Sequence, residues 1–279
     1  MPFHRYVTRG KKEDVRYKAG ITIDSMSRAL TEAGSDFASM LRRVKDPNRP
    51  AIGSWTVGET AAHAAHSPKY FLEAAQGTTA LAALDDVAYH NAEFLSDEPE
   101  RDPRVLADQF ENNELTLTTY AGTLDGDPAV EVFDGVVVPM STLLAVELGE
   151  VLVHGYDIAG ASGLHWSIAA EHAALTVGGL LPILPYVIDP AKAAGFDARF
   201  AFRIRGGIEA TFVFDDGALH IEAAGGEPVD CHLSVDPATY LLLSFNRINP
   251  AVPTLQGKIV AWGRRPWLAF KMASLFKTI

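Results

Sequence analysis

Ser141–Ala161, STLLAVELGEVLVHGYDIAGA, reads as one helix. Leu144, Leu148, Val151, Leu152 and Ile158 recur at helical spacing and give it an apolar face. Its polar residues Glu147, Glu150, His154 and Asp157 stand three, four and three positions apart, so they form a line down the helix. Glu150 and His154 are one turn apart, and their side chains can reach the same point in space. A solvated helix face ordinarily mixes the signs of its charges. Here no Lys or Arg occurs between Arg104 and Lys192, so three acids and an imidazole stand without a local cation. A metal ion would supply the missing positive charge.

A matching stripe lies earlier in the chain. Thr56 and Glu59 have the spacing of a capping box, which satisfies the orphan amides at a helix start. The helix continues through Ala61, Ala62, Ala64 and Ala65, with Glu59, His63, His66 and Tyr70 on one stripe; Pro68 is expected to kink or end it. Facing the two stripes gives two imidazoles and a carboxylate. Zinc accepts such a set, and three protein ligands leave a coordination position open, as catalytic sites do. Asp157 is spaced to orient an imidazole. Spacing alone does not choose between His63 and His66.

Around these two helices the periodicity predicts more of the same. Ile23, Met26, Leu30, Ala33, Phe37, Met40 and Val44 mark an amphipathic helix; Leu106, Phe110, Asn113, Leu117 and Tyr120 mark another. A less regular helix is expected over Leu81–Leu95, and a hairpin over Val130–Val138 turning at Asp134-Gly135. Four main helices with short connections predict a four-helix bundle, a common host for metal sites built from facing helices. A fifth helix is expected from Ser167 into Leu184, with Pro190–Gly195 as a linker. Beyond it the period drops to two. Arg199–Arg205, Thr211–Phe214, Ala218–Ala223 and Asp230–Val235, with turns at Gly206-Gly207 and Asp216-Gly217, predict an antiparallel sheet. A helix over Pro237–Phe245, a strand over Lys258–Trp262 and a closing helix bearing Trp267, Phe270, Met272, Leu275 and Phe276 complete a small α+β domain. The expected division is a basic flexible head at 1–20, the helical bundle at 21–189 and the α+β domain at 196–279.

Composition narrows the function. A chain of 279 residues that is 48% hydrophobic can bury two cores. A net charge of −11 without a basic stripe argues against nucleic acid and against an anionic membrane surface. The basic N-terminus has no apolar run, so it does not read as a signal peptide. The longest apolar run, Val177–Ile188, is too short to span a bilayer and contains Pro182 and Pro185. The lone cysteine, Cys231, excludes an internal disulfide, fits a reducing cytoplasm and reads as a core residue of a strand.

Two runs carry a family resemblance. W-T-V-G-E-T-A-A-H, Trp55–His63, resembles the opening of the second helix in mycothiol-dependent maleylpyruvate isomerases, a group within the DinB-like metal-binding helical domains. E-V-L-V-H-G-Y-D, Glu150–Asp157, resembles a later segment of the same family. The resemblance covers roughly residues 21–185. It implies His63, Glu150 and His154 as metal ligands, choosing His63 over His66 by analogy. H-L-S-V-D-P-A-T-Y, His232–Tyr240, and G-K-I-V-A-W-G, Gly257–Gly263, resemble a sterol-carrier-like C-terminal domain.

The resemblance implies a divalent metal, zinc foremost, and mycothiol or a similar low-molecular-weight thiol as cofactor. The thiolate would add to a conjugated double bond of a small electrophile; rotation and expulsion would give the trans isomer. A related member would transfer the thiol and stop there. The basic head, His66 and Pro68, and the short C-terminal domain depart from the family pattern. No thiol- or substrate-binding side chain carries over; Arg203, Arg205 and Arg264 are the candidates. Two rival readings stand beside the enzyme. One is a binding module holding an apolar ligand between the C-terminal sheet and the Trp267–Phe276 helix. The other is a scaffold with a vestigial metal site.

Overall fold

The computed structural model describes residues 20–83, 85–133 and 135–277. The basic head lies outside the described residues but for Gly20, and so does Asp134 of the expected hairpin turn. Helix α1 (Ile23–Leu41) starts at Thr22, whose hydroxyl accepts from Ser25 N while Thr22 N donates to Ser25 Oγ. A short hairpin of β1 (Pro50–Ile52) and β2 (Trp55–Thr56) leads into α2 (Val57–Ala75). The Thr56–Glu59 capping box forms as the sequence predicts. There follow α3 (Val87–Asp97), α4 (Pro103–Gly122), the antiparallel pair β3 (Ala129–Glu131) and β4 (Val137–Pro139), and α5 (Met140–Ser162).

Helices α1, α2, α4 and α5 make the bundle: α1 and α2 each pack against both α4 and α5. The apolar stripes read from the sequence meet inside it. Phe37 and Phe110, both fully buried, meet edge to face with ring centroids 5.1 Å apart. Pro68 does not end α2. The carbonyl of Ala64, which would have received the missing Pro68 amide proton, accepts from Ser67 Oγ at 3.0 Å instead. The less regular segment becomes helical only at Val87, and just Leu95 of α3 is buried.

The fifth helix is shorter than its apolar run suggests. α6 (Ala170–Gly179) gives way to turns and a 3-10 segment at Leu184–Val187, where Pro182 and Pro185 cannot supply helical amide donors. The expected linker contains a one-turn helix, α7 (Pro190–Ala193), capped by Asp189. The C-terminal sheet has strands β5 (Ala198–Ile204), β6 (Glu209–Asp215), β7 (Ala218–Ala223), β8 (Cys231–Val235) and β9 (Ile259–Trp262). Its order is β7-β6-β5-β8-β9. The sheet is mixed rather than wholly antiparallel, because β8 runs parallel to β5. Asp230 explains the placement: its N donates to Arg199 O at 2.8 Å and its Oδ2 accepts from Arg199 N at 3.0 Å, pinning the start of β8 beside β5.

Helices α8 (Pro237–Ser244), α9 (Ala251–Leu255) and α10 (Leu268–Ala273) complete this region. The closing helix splits its stripe: Met272 and Leu275 are buried, whereas Trp267 is 62% and Phe270 69% exposed, so the two aromatics do not close the core. Cys231 is fully buried, as expected of a core residue. Helix α6 packs on both α5 and α8, which joins the sheet to the bundle. Among the described residues no helix is long and apolar enough to cross a membrane.

Trp166, just beyond α5, lies against Gly155, and its Nε1 donates to Leu152 O at 3.0 Å. In an exposed helix interior alanine would outperform glycine by about 1 kcal/mol. At Gly155 a Cβ would meet the indole ring, and packing wins. Gly155→Ala is therefore expected to destabilise the protein by about 1–3 kcal/mol, read by urea unfolding. A stabilised variant would show that the Trp166 contact is loose.

Candidate metal centre

His63 stands on the second turn of α2, a helix whose start is fixed by the Thr56–Glu59 box and whose alanines allow close approach to α5. Glu150 and His154 stand one turn apart on α5. The two helices bring the three side chains to one point. His63 Nε2 lies 3.1 Å and His154 Nε2 3.0 Å from the same oxygen, Glu150 Oε2. One ligand atom from each of the three residues lies within 4.8 Å of the others. The rings of His63 and His154 are nearly perpendicular with centroids 5.1 Å apart, and Trp55 stands at 5.1 Å from the first and 6.4 Å from the second.

His66 goes elsewhere. It stacks on Phe94 of α3 at 4.3 Å, and burial pushes its pKa down. The geometry therefore separates the two histidines that spacing alone could not.

Behind His154 the chain supplies a brace. His154 Nδ1 lies 3.2 Å from Asp157 Oδ2, so the Asp157 carboxylate holds a proton on Nδ1, and Nε2, which faces Glu150, is the nitrogen that would give up its proton to ligate a metal ion. Asp157 is in turn gripped by Arg247, with Nε 3.0 Å from Oδ1 and Nη2 2.8 Å from Oδ2. Both members of this pair are largely shielded from solvent, with side-chain exposures of 14% for Arg247 and 4% for Asp157. Arg247 gets there through a local signal. Asn246 adopts a left-handed conformation, φ 56°, at the end of α8. The amides of Asn246 and Arg247 donate back to Leu243 and Leu242 carbonyls, a helix-ending motif that turns Arg247 toward α5.

The electrostatics follow from these contacts. Burial opposes ionisation of Glu150, but hydrogen bonds from His154 and His63 hold its carboxyl well below the usual range. Burial also opposes the His154 imidazolium, yet the Asp157 and Glu150 carboxylates hold its pKa up at about 9. Among the described residues no Lys or Arg pairs with His63, Glu150 or His154. The donor set, two imidazole nitrogens and one carboxylate oxygen, therefore fits a divalent transition-metal ion with a position left open. The sequence argument that the acidic line lacked any cation needs correction at one member: Asp157 has Arg247.

Glu147, the first member of that line, does not join the cluster. It is fully buried one turn before Glu150, and neither carboxylate oxygen has a hydrogen-bond partner among the described residues. The arginines singled out in the sequence are occupied elsewhere. Arg203 pairs with Glu209, Arg205 donates to Ser234 and to Gly257 O, and Arg264 pairs with Asp230. The arginine that reaches the centre, Arg247, carries no sequence signal for doing so beyond the helix stop at Asn246.

Comparison with known proteins agrees with this architecture. The family described as the mycothiol maleylpyruvate isomerase N-terminal domain matches residues 25–159. The SCP-2 sterol transfer family matches residues 187–277. The crystal structure of the mycothiol-dependent maleylpyruvate isomerase is similar over 86% of this chain and 92% of that one, with 14% identity and a TM-score of 0.50. A histidine-to-alanine mutant of that isomerase is similar over the same shares, with 13% identity and a TM-score of 0.51. At such identities the likeness is one of fold. No curated protein matches the chain in sequence. The chain thus carries a domain of the mycothiol maleylpyruvate isomerase N-terminal family in its helical region and a domain of the SCP-2 sterol transfer family behind it.

Proposed function

We propose that the protein is a divalent-metal-dependent enzyme that uses a small thiol, mycothiol or a close analogue, to isomerise or S-conjugate a small electrophile. The observation that carries this reading is the convergence of His63 Nε2, Glu150 Oε2 and His154 Nε2 on one point. A bound divalent ion, zinc foremost, supplies a Lewis-acid position that favours the thiolate form of a thiol ligand. His63, Glu150 and His154 would hold that ion, and Asp157 with Arg247 orients His154 for it. Trp55 flanks both imidazoles and supplies an apolar wall beside them. The chain's own sulfur, Cys231, is buried in β8 with its pKa raised by burial, so the nucleophile belongs to the thiol partner. The lone cysteine suits a reducing cytoplasm. Domain limits of 21–189 and 196–279 are part of the same reading.

Protein purified without chelator is expected to carry about one metal ion per chain by elemental analysis. The pair His63→Ala and His154→Ala should abolish it. Incubation with mycothiol and maleylpyruvate or a related unsaturated acid should then show turnover that needs both the thiol and the metal. Full metal retention in the double variant would remove the basis of the proposal. Metal binding without any thiol-dependent turnover would leave the vestigial-scaffold reading in its place.

A further inference from the structure

A groove runs across the end of the bundle where α1 stops and α4 starts. An open groove of about 980 Å³ lies there, in the size range of small-molecule sites. None of His63, Glu150 and His154 lines it. Its floor is apolar, built from Val44, Pro47, Pro103 and Leu164. Its bases come from separate segments of the chain, which is why no basic stripe marks them in the sequence.

The acids around the groove bond to backbone amides rather than to its cations. Glu100 Oε1 accepts from the amides of Arg101 and Asp102, and Asp102 Oδ1 accepts from the amide of Arg104. Asp46 Oδ1 accepts from Asn48 N. Two of the groove's arginines are also committed. Arg42 is neutralised by Asp108 and Glu111. Arg101 donates to the carbonyls of Leu95, Glu98 and Glu100, which stiffens the wall between α3 and α4. That leaves Arg43, Lys45 and Arg104. All three are exposed, all three line the groove, and none has a carboxylate partner among the described residues. Three cations without an ion-pair partner over an apolar floor, beside only the Glu100 and Asp102 carboxylates, are unexpected in a chain of net charge −11.

We propose that this groove is a binding site for a small multivalent anion, with Arg43, Lys45 and Arg104 as the anchoring charges. Guanidinium forks suit phosphate and carboxylate oxygens alike. The shared chemistry is two or more anionic groups on one small molecule, and the apolar floor accepts its carbon skeleton. The site is independent of the metal centre, so its failure would not touch the proposed function.

The test is isothermal titration of the intact protein, in its purified metal state, with pyrophosphate and with citrate. At about 50 mM salt at least one of them is expected to bind with Kd below about 1 mM, more weakly at about 500 mM salt. Binding of pyrophosphate alone would mark the site as one for phosphorylated molecules, and of citrate alone for polycarboxylates. Arg43→Ala with Arg104→Ala should weaken binding at least about tenfold, with metal content and far-ultraviolet circular dichroism unchanged, since both side chains are exposed. Lys258→Ala, remote in sequence and also exposed, should leave affinity unaltered. Absence of binding for both anions, or equal affinity in the double variant and the parent, would overturn the assignment.

Discussion

Arg247→Met lowers the stability of the protein by about 3–5 kcal/mol, because it strands the Asp157 carboxylate without its cation in a site shielded from water. The same substitution weakens metal uptake by about 10–100-fold, since an Asp157 freed from Arg247 no longer holds His154 in one tautomer and orientation. These two effects separate in the double variant Arg247→Met with Asp157→Leu. Replacing a buried ion pair by apolar groups of similar size is often close to neutral, so most of the stability returns. The metal affinity does not return, because Asp157→Leu removes the acceptor of His154 Nδ1 altogether. Urea unfolding and metal titration on the three proteins check this. If affinity recovers together with stability, Asp157 is only a structural counter-charge.

The pair also shapes the acid limb of stability. Burial works against the Asp157 carboxylate, but hydrogen bonds with His154 and Arg247 lower its pKa below the ordinary aspartate value. The stabilisation is present above the unfolded-state pKa and is lost as pH falls through the lower folded-state value. The Asp157→Leu variant should lack that part of the acid transition.

Glu147→Met is expected to act in the opposite direction and stabilise the fold. The Glu147 carboxyl is fully buried and burial lifts its pKa well above 4.5. The adjacent Ser67 offsets this only in part, since its hydroxyl donates to Ala64 O. Above pH 4.5 the unfolded chain ionises this group while the folded chain keeps it neutral. Folding then takes up a proton, and stability falls with rising pH by about 1.4 kcal/mol per unit until the folded group itself ionises. Methionine removes that penalty and the unpartnered polar atoms together, so a gain of about 2 kcal/mol or more near neutral pH is expected. Unfolding free energies of parent and variant across the pH range should converge toward the acid end. Parallel curves would mean that Glu147 is hydrogen-bonded and ionised in solution.

The two stripes that organise the bundle were legible because helical spacing is a local property. Met26, Leu30 and Phe37 repeat at that spacing, and so do His63 on one helix and Glu150 and His154 on another. The family likeness, not the spacing, chose His63 over His66. The physical reason for His66's different course is Phe94, a stacking partner on a helix whose start the pattern misplaced. Glu147 belongs to the same polar line, yet a line on a helix says nothing of what covers each of its turns. The sheet order depended on Asp230 clasping Arg199, a contact that alternation cannot encode. Arg247 was invisible for the same reason. It meets a carboxylate 90 residues earlier in the chain.

That separation has a consequence for how the protein is made. During synthesis the helical region emerges first, and its apolar stripes can pack before the sheet exists. The Asp157 carboxylate must then wait, unbalanced, until α8 and its Asn246 stop have been translated and have swung the guanidinium into place. If the proposed centre binds its cation, a nascent chain arrested before residue 247 is expected to hold the three ligands without the Arg247 brace and to reach full affinity only once the C-terminal half is complete.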